Sequence, residues 1–150
     1  MTAASIMDPN PVVLKPTNVI STAAKYIMEN RYRNLPVVDD NGCYMGIFGV
    51  NCLLRLVLPK AAIMEKGLDS VSFMHESLAD LHNRLREVEE QPMTLWMNTE
   101  VETVSPDHPL VETLLILYRT KTSIPVVEPG TCKLLGMISY WDAGRQILSA

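Results

Sequence analysis

Leu35-Pro36-Val37-Val38, a turn at Asp39-Asp40-Asn41-Gly42, then Tyr44-Met45-Gly46-Ile47-Phe48 is a pattern that occurs twice in the chain. Ile124-Pro125-Val126-Val127, a turn at Glu128-Pro129-Gly130 and Gly136-Met137-Ile138 follow the same order. Working outward, residues 12–58 lie over 102–148 at an offset of 90, with a slip of one residue in the middle. Met7 falls on Met97, Pro16 on Pro106 and Ile20 on Leu110. Matches kept in order across whole units are the mark of a duplicated structural unit.

The local signals inside each unit agree. A short apolar piece, Val12 to Leu14 or Val101 to Val104, precedes a proline turn. Thr17 or Asn18, and Asp107 or His108, stand where a helix N-cap is expected, and Pro109 suits the first helical position. The helix then runs to about Asn30 or Thr120, its apolar residues Ile20, Ala23, Ala24, Ile27 and Met28 spaced by three and four. Its second copy, with Leu110, Leu114, Leu115, Leu117 and Tyr118, is apolar all round, which predicts deeper burial. Strands are expected at Pro36–Val38 and Tyr44–Phe48, and at Pro125–Val127 and Lys133–Ile138, with proline in the first strand position, where no ladder donor is needed. Closing helices at Val50–Leu58 and Tyr140–Leu148 complete a β-α-β-β-α order, twice: an α+β fold.

Residues 59–96 lie outside the repeat, so the chain divides into a first repeat (1–58), a linker (59–96) and a second repeat (97–150). The linker carries a helix at about 74–90. Met74, Leu78, Leu81, Leu85 and Val88 form a narrow apolar seam expected to be buried, and Asp80–Arg84 and Arg86–Glu90 are spaced as i,i+4 charge pairs. The seam serves either a connector docked on the repeats or a self-association helix.

Bulk properties narrow the function. Of 150 residues 47% are apolar and 20% charged, as in an ordinary globular protein, and the net charge of −4 argues against a nucleic-acid binder. The N-terminal stretch Met1 to Asn10 does not read as a signal peptide, and no apolar run approaches the roughly 18 residues that span a bilayer. Cys43, Cys52 and Cys132 are scattered without metal spacing, which predicts free, mostly buried thiols in a reducing compartment. A cytoplasmic location without membrane contact is therefore expected. No nucleophile–base pair can be argued, and His75, His82 and His108 form no metal motif, so an enzyme is not expected.

The informative motif is Gly136-Met137-Ile138-Ser139-Tyr140-Trp141-Asp142. It sets Ser139 at a strand end and Asp142 in the first turn of a helix. Two readings stand. The helix start and the Ser139 hydroxyl suit a phosphate, and the Asp142 carboxylate suits the vicinal hydroxyls of a ribose. Equally, Ser139-x-x-Asp142 is a capping box that needs no ligand. Tyr140 and Trp141 read as core or interface.

The ordered elements, with Ile6-Met7-Asp8-Pro9 looking like an M-x-P opening, resemble the CBS domain (cystathionine-β-synthase-type repeat). The resemblance implies two repeats packed about a pseudo-two-fold axis. It implies that Ser139 and Asp142 belong to a ribose–phosphate motif, with adenine held near Ile124, Pro125 and Val104. Arg31 and Arg33, just before Leu35-Pro36, would reach a phosphate in the cleft between repeats. Gly49 and Cys52 replace the serine and aspartate in the first repeat, so that site is expected to be degenerate or empty. The implied function is a regulatory module sensing AMP, ADP, ATP or an S-adenosyl compound and acting on a separate protein. A homodimer through Val50, Leu53, Leu54, Val57 and Ile147 is implied too. The alternative is a ligand-free scaffold for assembly.

Overall fold

The computed structural model describes residues 1–60, 63 and 75–149. Its elements are α1 (Ile20–Asn30), β1 (Asn34–Val38), β2 (Tyr44–Gly49), α2 (Val50–Val57), α3 (Leu78–Val88), α4 (Leu110–Thr120), β3 (Ile124–Val127), β4 (Leu134–Ile138) and α5 (Tyr140–Ser149). Short 3-10 turns occupy Ala3–Ser5 and Met93–Leu95. Each repeat contributes one antiparallel hairpin, β1–β2 or β3–β4, with a register irregularity at the same place in both. Gly42 and Gly130 turn the chain at φ +82° and +76°, a region open to glycine at little cost. The mixed α+β arrangement expected from the sequence is present. No described helix is long and apolar enough to cross a membrane.

The first strand of each unit shrinks to a single bridging residue. Leu14 pairs in parallel with Val37, and Val104 with Val126. The strands also begin earlier than expected, so Pro36 and Pro125 sit inside them rather than first. Their missing N–H is tolerated because the bonds on that edge use other groups. Leu14 N–H donates to the Pro36 carbonyl (2.8 Å), and Val38 N–H to the Leu14 carbonyl (2.9 Å).

Two segments cross between the repeats. Ala3 and Ile6 are buried in the second repeat's core with Val104, Ile124 and Ile138, whereas Met93 is buried in the first repeat's core with Leu14, Ile20 and Phe48. Backbone pairing holds both crossings: Asp8 with Met137, and Asn98 with Ile47. The approach is close enough to require glycine beside it. A Cβ on Gly136 would lie 2.6 Å from the Asp8 carbonyl oxygen, and one on Gly46 would lie 2.8 Å from that of Asn98.

The crossing segments also displace the expected helix caps. Val19 and Pro109 are the N-caps and neither makes a side-chain cap bond. Carbonyls of the crossing chains serve instead: Ile20 N–H donates to Gln91 (3.0 Å), Ser21 to Glu89 (2.9 Å) and Leu110 to Met1 (3.2 Å). Pro109 thus stands one residue before the helix, and Asn18 bonds the Lys15 N–H within its turn.

Four further expectations are corrected. Helix α4 is not buried all round, since Val111, Leu115 and Tyr118 form an exposed stripe. In α3 no residue is fully buried: Leu85 and Val88 pack against the first-repeat core, Leu81 is half-buried and Leu78 is exposed. Met74 lies outside the described residues. Arg84 pairs with Glu76 rather than Asp80, whose carboxylate closes a capping box with Ser77, and no Arg86–Glu90 ion pair is present among the described residues. Finally, Cys43 and Cys132 are not free thiols. They are joined as a disulfide across the hairpin tips, Cα–Cα 4.7 Å, and only Cys52 is free and buried.

Candidate ligand-binding cleft

The strand β4 ends at Ile138, and α5 begins two residues later with Ser139 as the hinge between them. The Asp142 Oδ2 accepts the Ser139 N–H and the Ser139 hydroxyl, both at 2.8 Å, while the Ser139 Oγ accepts the Asp142 N–H at 3.2 Å. The capping box is therefore formed. Helices leave their first N–H groups without intrahelical acceptors. Here those of Tyr140 and Trp141, and the Oδ1 of Asp142, have no partner among the described residues.

What distinguishes this box is its surroundings. Ser77 and Asp80 form the same three contacts at the start of α3, at 2.9, 3.0 and 3.2 Å, away from the cleft. Ser139 and Asp142 instead line a cavity of about 780 Å³ whose opposite wall comes from the first repeat. Arg31, Tyr32, Arg33, Leu35 and Pro36 form that wall, and Arg145, one turn beyond Asp142, adds a third guanidinium. Arg31 holds its place at the end of α1 with φ 55°, the left-handed turn in which its N–H returns to Ile27. The second copy of that turn is Lys121, φ 57°.

Four of the seven residues singled out in the sequence, Arg31, Arg33, Ser139 and Asp142, thus come together. Ile124, Pro125 and Val104 do not line this cavity: all three are buried in the second repeat. The apolar wall is supplied by Leu35 and Pro36, the corresponding residues of the other repeat, because the cleft runs between repeats rather than within one. Val12, Pro11 and Met137 extend it. Trp141 is no core residue, being 82% exposed at the cleft. Tyr140 is also exposed, yet its hydroxyl donates to the Leu117 carbonyl at 2.9 Å and ties α5 to α4. Arg145 was missed from sequence although it lies at i+3 from Asp142, a spacing that shares a helix face.

In the first repeat the corresponding place is closed. Gly49 pairs with Asn34 in the hairpin, and Val50 N–H donates to the Arg33 carbonyl at 2.9 Å. A Cβ on Gly49 would run into the Arg33 carbonyl and the Asn34 side chain. Glycine is there because the strand passes too close for serine. Cys52 is buried in the first-repeat core.

Comparison with known proteins agrees with this architecture. The sequence profile of the CBS domain matches residues 3–59 and 76–148. The CBS domain-containing protein CBSX1 of Arabidopsis thaliana, a chloroplastic protein, is 38% identical over 53 residues, which is 35% of this chain and 22% of that protein. The structure of CBSX2, also from Arabidopsis thaliana, in complex with AMP superposes with a TM-score of 0.72 at 23% identity, covering 99% of this chain and 96% of that one. The CBS domain pair of protein MJ0100, in complex with 5′-methylthioadenosine and S-adenosyl-L-methionine, gives 0.66 at 17% identity, covering 99% and 97%. At these identities the two structures show the fold alone.

Proposed function

The chain belongs to the CBS domain family, and from that premise we propose that it is a regulatory module that binds an adenosine phosphate in the cleft between its repeats and acts on a separate protein. The observation that carries the reading is the convergence, in one cavity, of Asp142 and the open start of α5 with Arg31 and Arg33 from the opposite repeat. Open N–H groups at a helix start and guanidinium groups favour a phosphate, and a carboxylate oxygen accepts a ribose hydroxyl. The AMP in CBSX2 supports an adenosine phosphate, and the ligands of MJ0100 support the broader adenosyl class.

Charge ranks the candidates. Three guanidiniums, Arg31, Arg33 and Arg145, face two carboxylates, Asp8 and Asp142, so an anionic nucleotide suits the cavity better than a cationic sulfonium such as S-adenosylmethionine. We read the module as non-catalytic, as the sequence leads one to expect. Dimer formation belongs to the same proposal: Val50, Leu54 and Ile147 are exposed, as is the α4 stripe, while Leu53 and Val57 are partly used by the first-repeat core. The cytoplasmic location expected from the sequence is also proposed here, although the curated relative is chloroplastic.

Calorimetric titration of the full chain with AMP, ADP, ATP and S-adenosylmethionine tests the function. One phosphate-bearing nucleotide should bind per chain, S-adenosylmethionine at least tenfold more weakly, and Arg33→Ala should weaken the nucleotide about tenfold. If no nucleotide binds at millimolar concentration, the ligand-free scaffold is the better reading.

A further inference from the structure

The hairpin turns of the two repeats meet edge to edge. Tyr44 N–H donates to the Cys132 carbonyl at 2.7 Å, Leu134 N–H to the Gly42 carbonyl at 3.1 Å, and Cys43 bridges Lys133 in antiparallel fashion. This pairing sets Cys43 beside Cys132 with their Cα atoms 4.7 Å apart, inside the usual disulfide span of about 4.4–6.8 Å. The pairing makes Lys133 the counterpart of Cys43 and Gly42 that of Cys132, so the two cysteines stand one position off equivalence and meet where the hairpin turns join. Cys132 is exposed and Cys43 half-buried, whereas Cys52 is buried in the first-repeat core.

We propose that Cys43 and Cys132 are a thiol–disulfide exchange site, a covalent tie between the repeats that a dithiol reductant opens and a disulfide oxidant closes. Access decides the direction of attack, since exchange proceeds by a thiolate reaching one sulfur of the bond. In opening, a thiolate of the reductant attacks the exposed Cys132 sulfur, the Cys43–Cys132 bond breaks, and Cys43 leaves as a thiolate and takes up a proton. The reductant's second thiol, as thiolate, attacks its own sulfur in the mixed disulfide. Cys132 departs, takes the other proton, and the reductant leaves as a cyclic disulfide. Two electrons and two protons pass to the pair. Closing is the reverse, with a disulfide as acceptor. The site lies at the hairpin tips, apart from the nucleotide cleft, and its function does not depend on the nucleotide reading.

The test uses the full chain carrying Cys52→Ala, equilibrated in buffers of reduced and oxidised dithiothreitol in varying ratio. Free thiols are trapped by alkylation and counted by mass spectrometry, and each form is melted. The two thiols should vanish together, within one chain. The oxidised form should melt higher by on the order of 10 °C, since the tie closes a long loop. In the unsubstituted chain, Cys43→Ser and Cys132→Ser should each melt as the reduced protein does and ignore the buffer. If Cys52→Ala does not fold, the unsubstituted chain is used and one extra alkylation is expected throughout. The proposal is overturned by thiols that stay free in oxidising buffer, by a bond formed between chains, or by a bond that the reductant cannot open while the protein is folded.

Discussion

Replacing Asp142 by alanine separates what this carboxylate does for the helix from what it does for a ligand, and both magnitudes follow from its contacts. The Ser139 Oγ accepts the backbone N–H of residue 142 whatever the side chain is, so the forward half of the box survives the substitution. Only the return bonds to Oδ2 are lost. Removing a whole cap costs about 0.5–2 kcal/mol, so losing this half should cost about 0.5–1 kcal/mol. The melting temperature should fall by about 1–4 °C. For the ligand, Oδ2 is already engaged and Oδ1 is free to accept. One hydrogen bond to a charged group contributes about 1.5–3 kcal/mol, which is about a ten- to 150-fold loss of affinity. Two separate hydroxyl bonds, as the sequence motif suggests, would cost about twice that energy. At a hundred times the parent's dissociation constant a nucleotide should stabilise the parent by about 2.7 kcal/mol and the variant by only about 0.3–1.4 kcal/mol. Asp80→Ala, which removes the same half-box at the start of α3, should lower the melting temperature and leave the nucleotide shift untouched. If Asp142→Ala keeps the parent's full nucleotide shift, Oδ1 faces no ligand and the carboxylate serves the helix alone.

Two further perturbations probe the first repeat. Gly49→Ser restores the family residue but pushes its Cβ into the Arg33 carbonyl and Asn34; it should destabilise by about 1–3 kcal/mol, as overpacking does, without adding a second nucleotide site. A melting temperature within a degree of the parent would show that the strand can move aside. The Tyr44 hydroxyl is buried with no partner among the described residues, and burial pushes its pKa up to about 12. Its folded-state value lies above the ordinary 10.0, so the associated stability is complete below pH 10 and is lost as the pH climbs toward 12. Tyr44→Phe should remove that part of the alkaline loss and be neutral or stabilising at pH 7. An absorbance titration in which all five tyrosines ionise together would contradict it.

The hairpins, helices and turns were legible because each is signalled by neighbouring residues: the apolar spacing of α1, the glycines Gly42 and Gly130, the proline-led strands. The cleft was half legible. Ser139 and Asp142 sit in a local motif, but the opposite wall depends on how the repeats face each other. Equivalent residues look interchangeable in sequence, so nothing in the two h-P-V-V stretches tells that Leu35 and Pro36, rather than Ile124 and Pro125, line this cavity. The crossing of the N-terminal and linker segments was hidden for the same reason, since Ile6 and Met93 would fit either core. A signal existed in Gly46 and Gly136, glycines inside strands, which mark a close approach of another backbone. The cysteine pair had one as well. Scattered along the chain, the two look unrelated, yet each ends the hairpin turn of a duplicated unit, and the two turns meet edge to edge.

The crossing of the two segments bears on the order in which the newborn chain can fold. When residue 58 has been synthesised, the first unit still lacks Met93 in its core and the carbonyls of Glu89 and Gln91 at the start of α1. At about 5–20 residues per second, some 2–8 s pass before residue 98 is made. Residues 1–8 wait longer, because their seats at Pro109 and Met137 are translated later still. Apolar Ile6 and the half-made first core therefore stand open together during synthesis, and contacts this distant in sequence slow the final closure. The halves finish as one cooperative event, and a chain interrupted between them should leave two fragments that are each incomplete and complementary to the other.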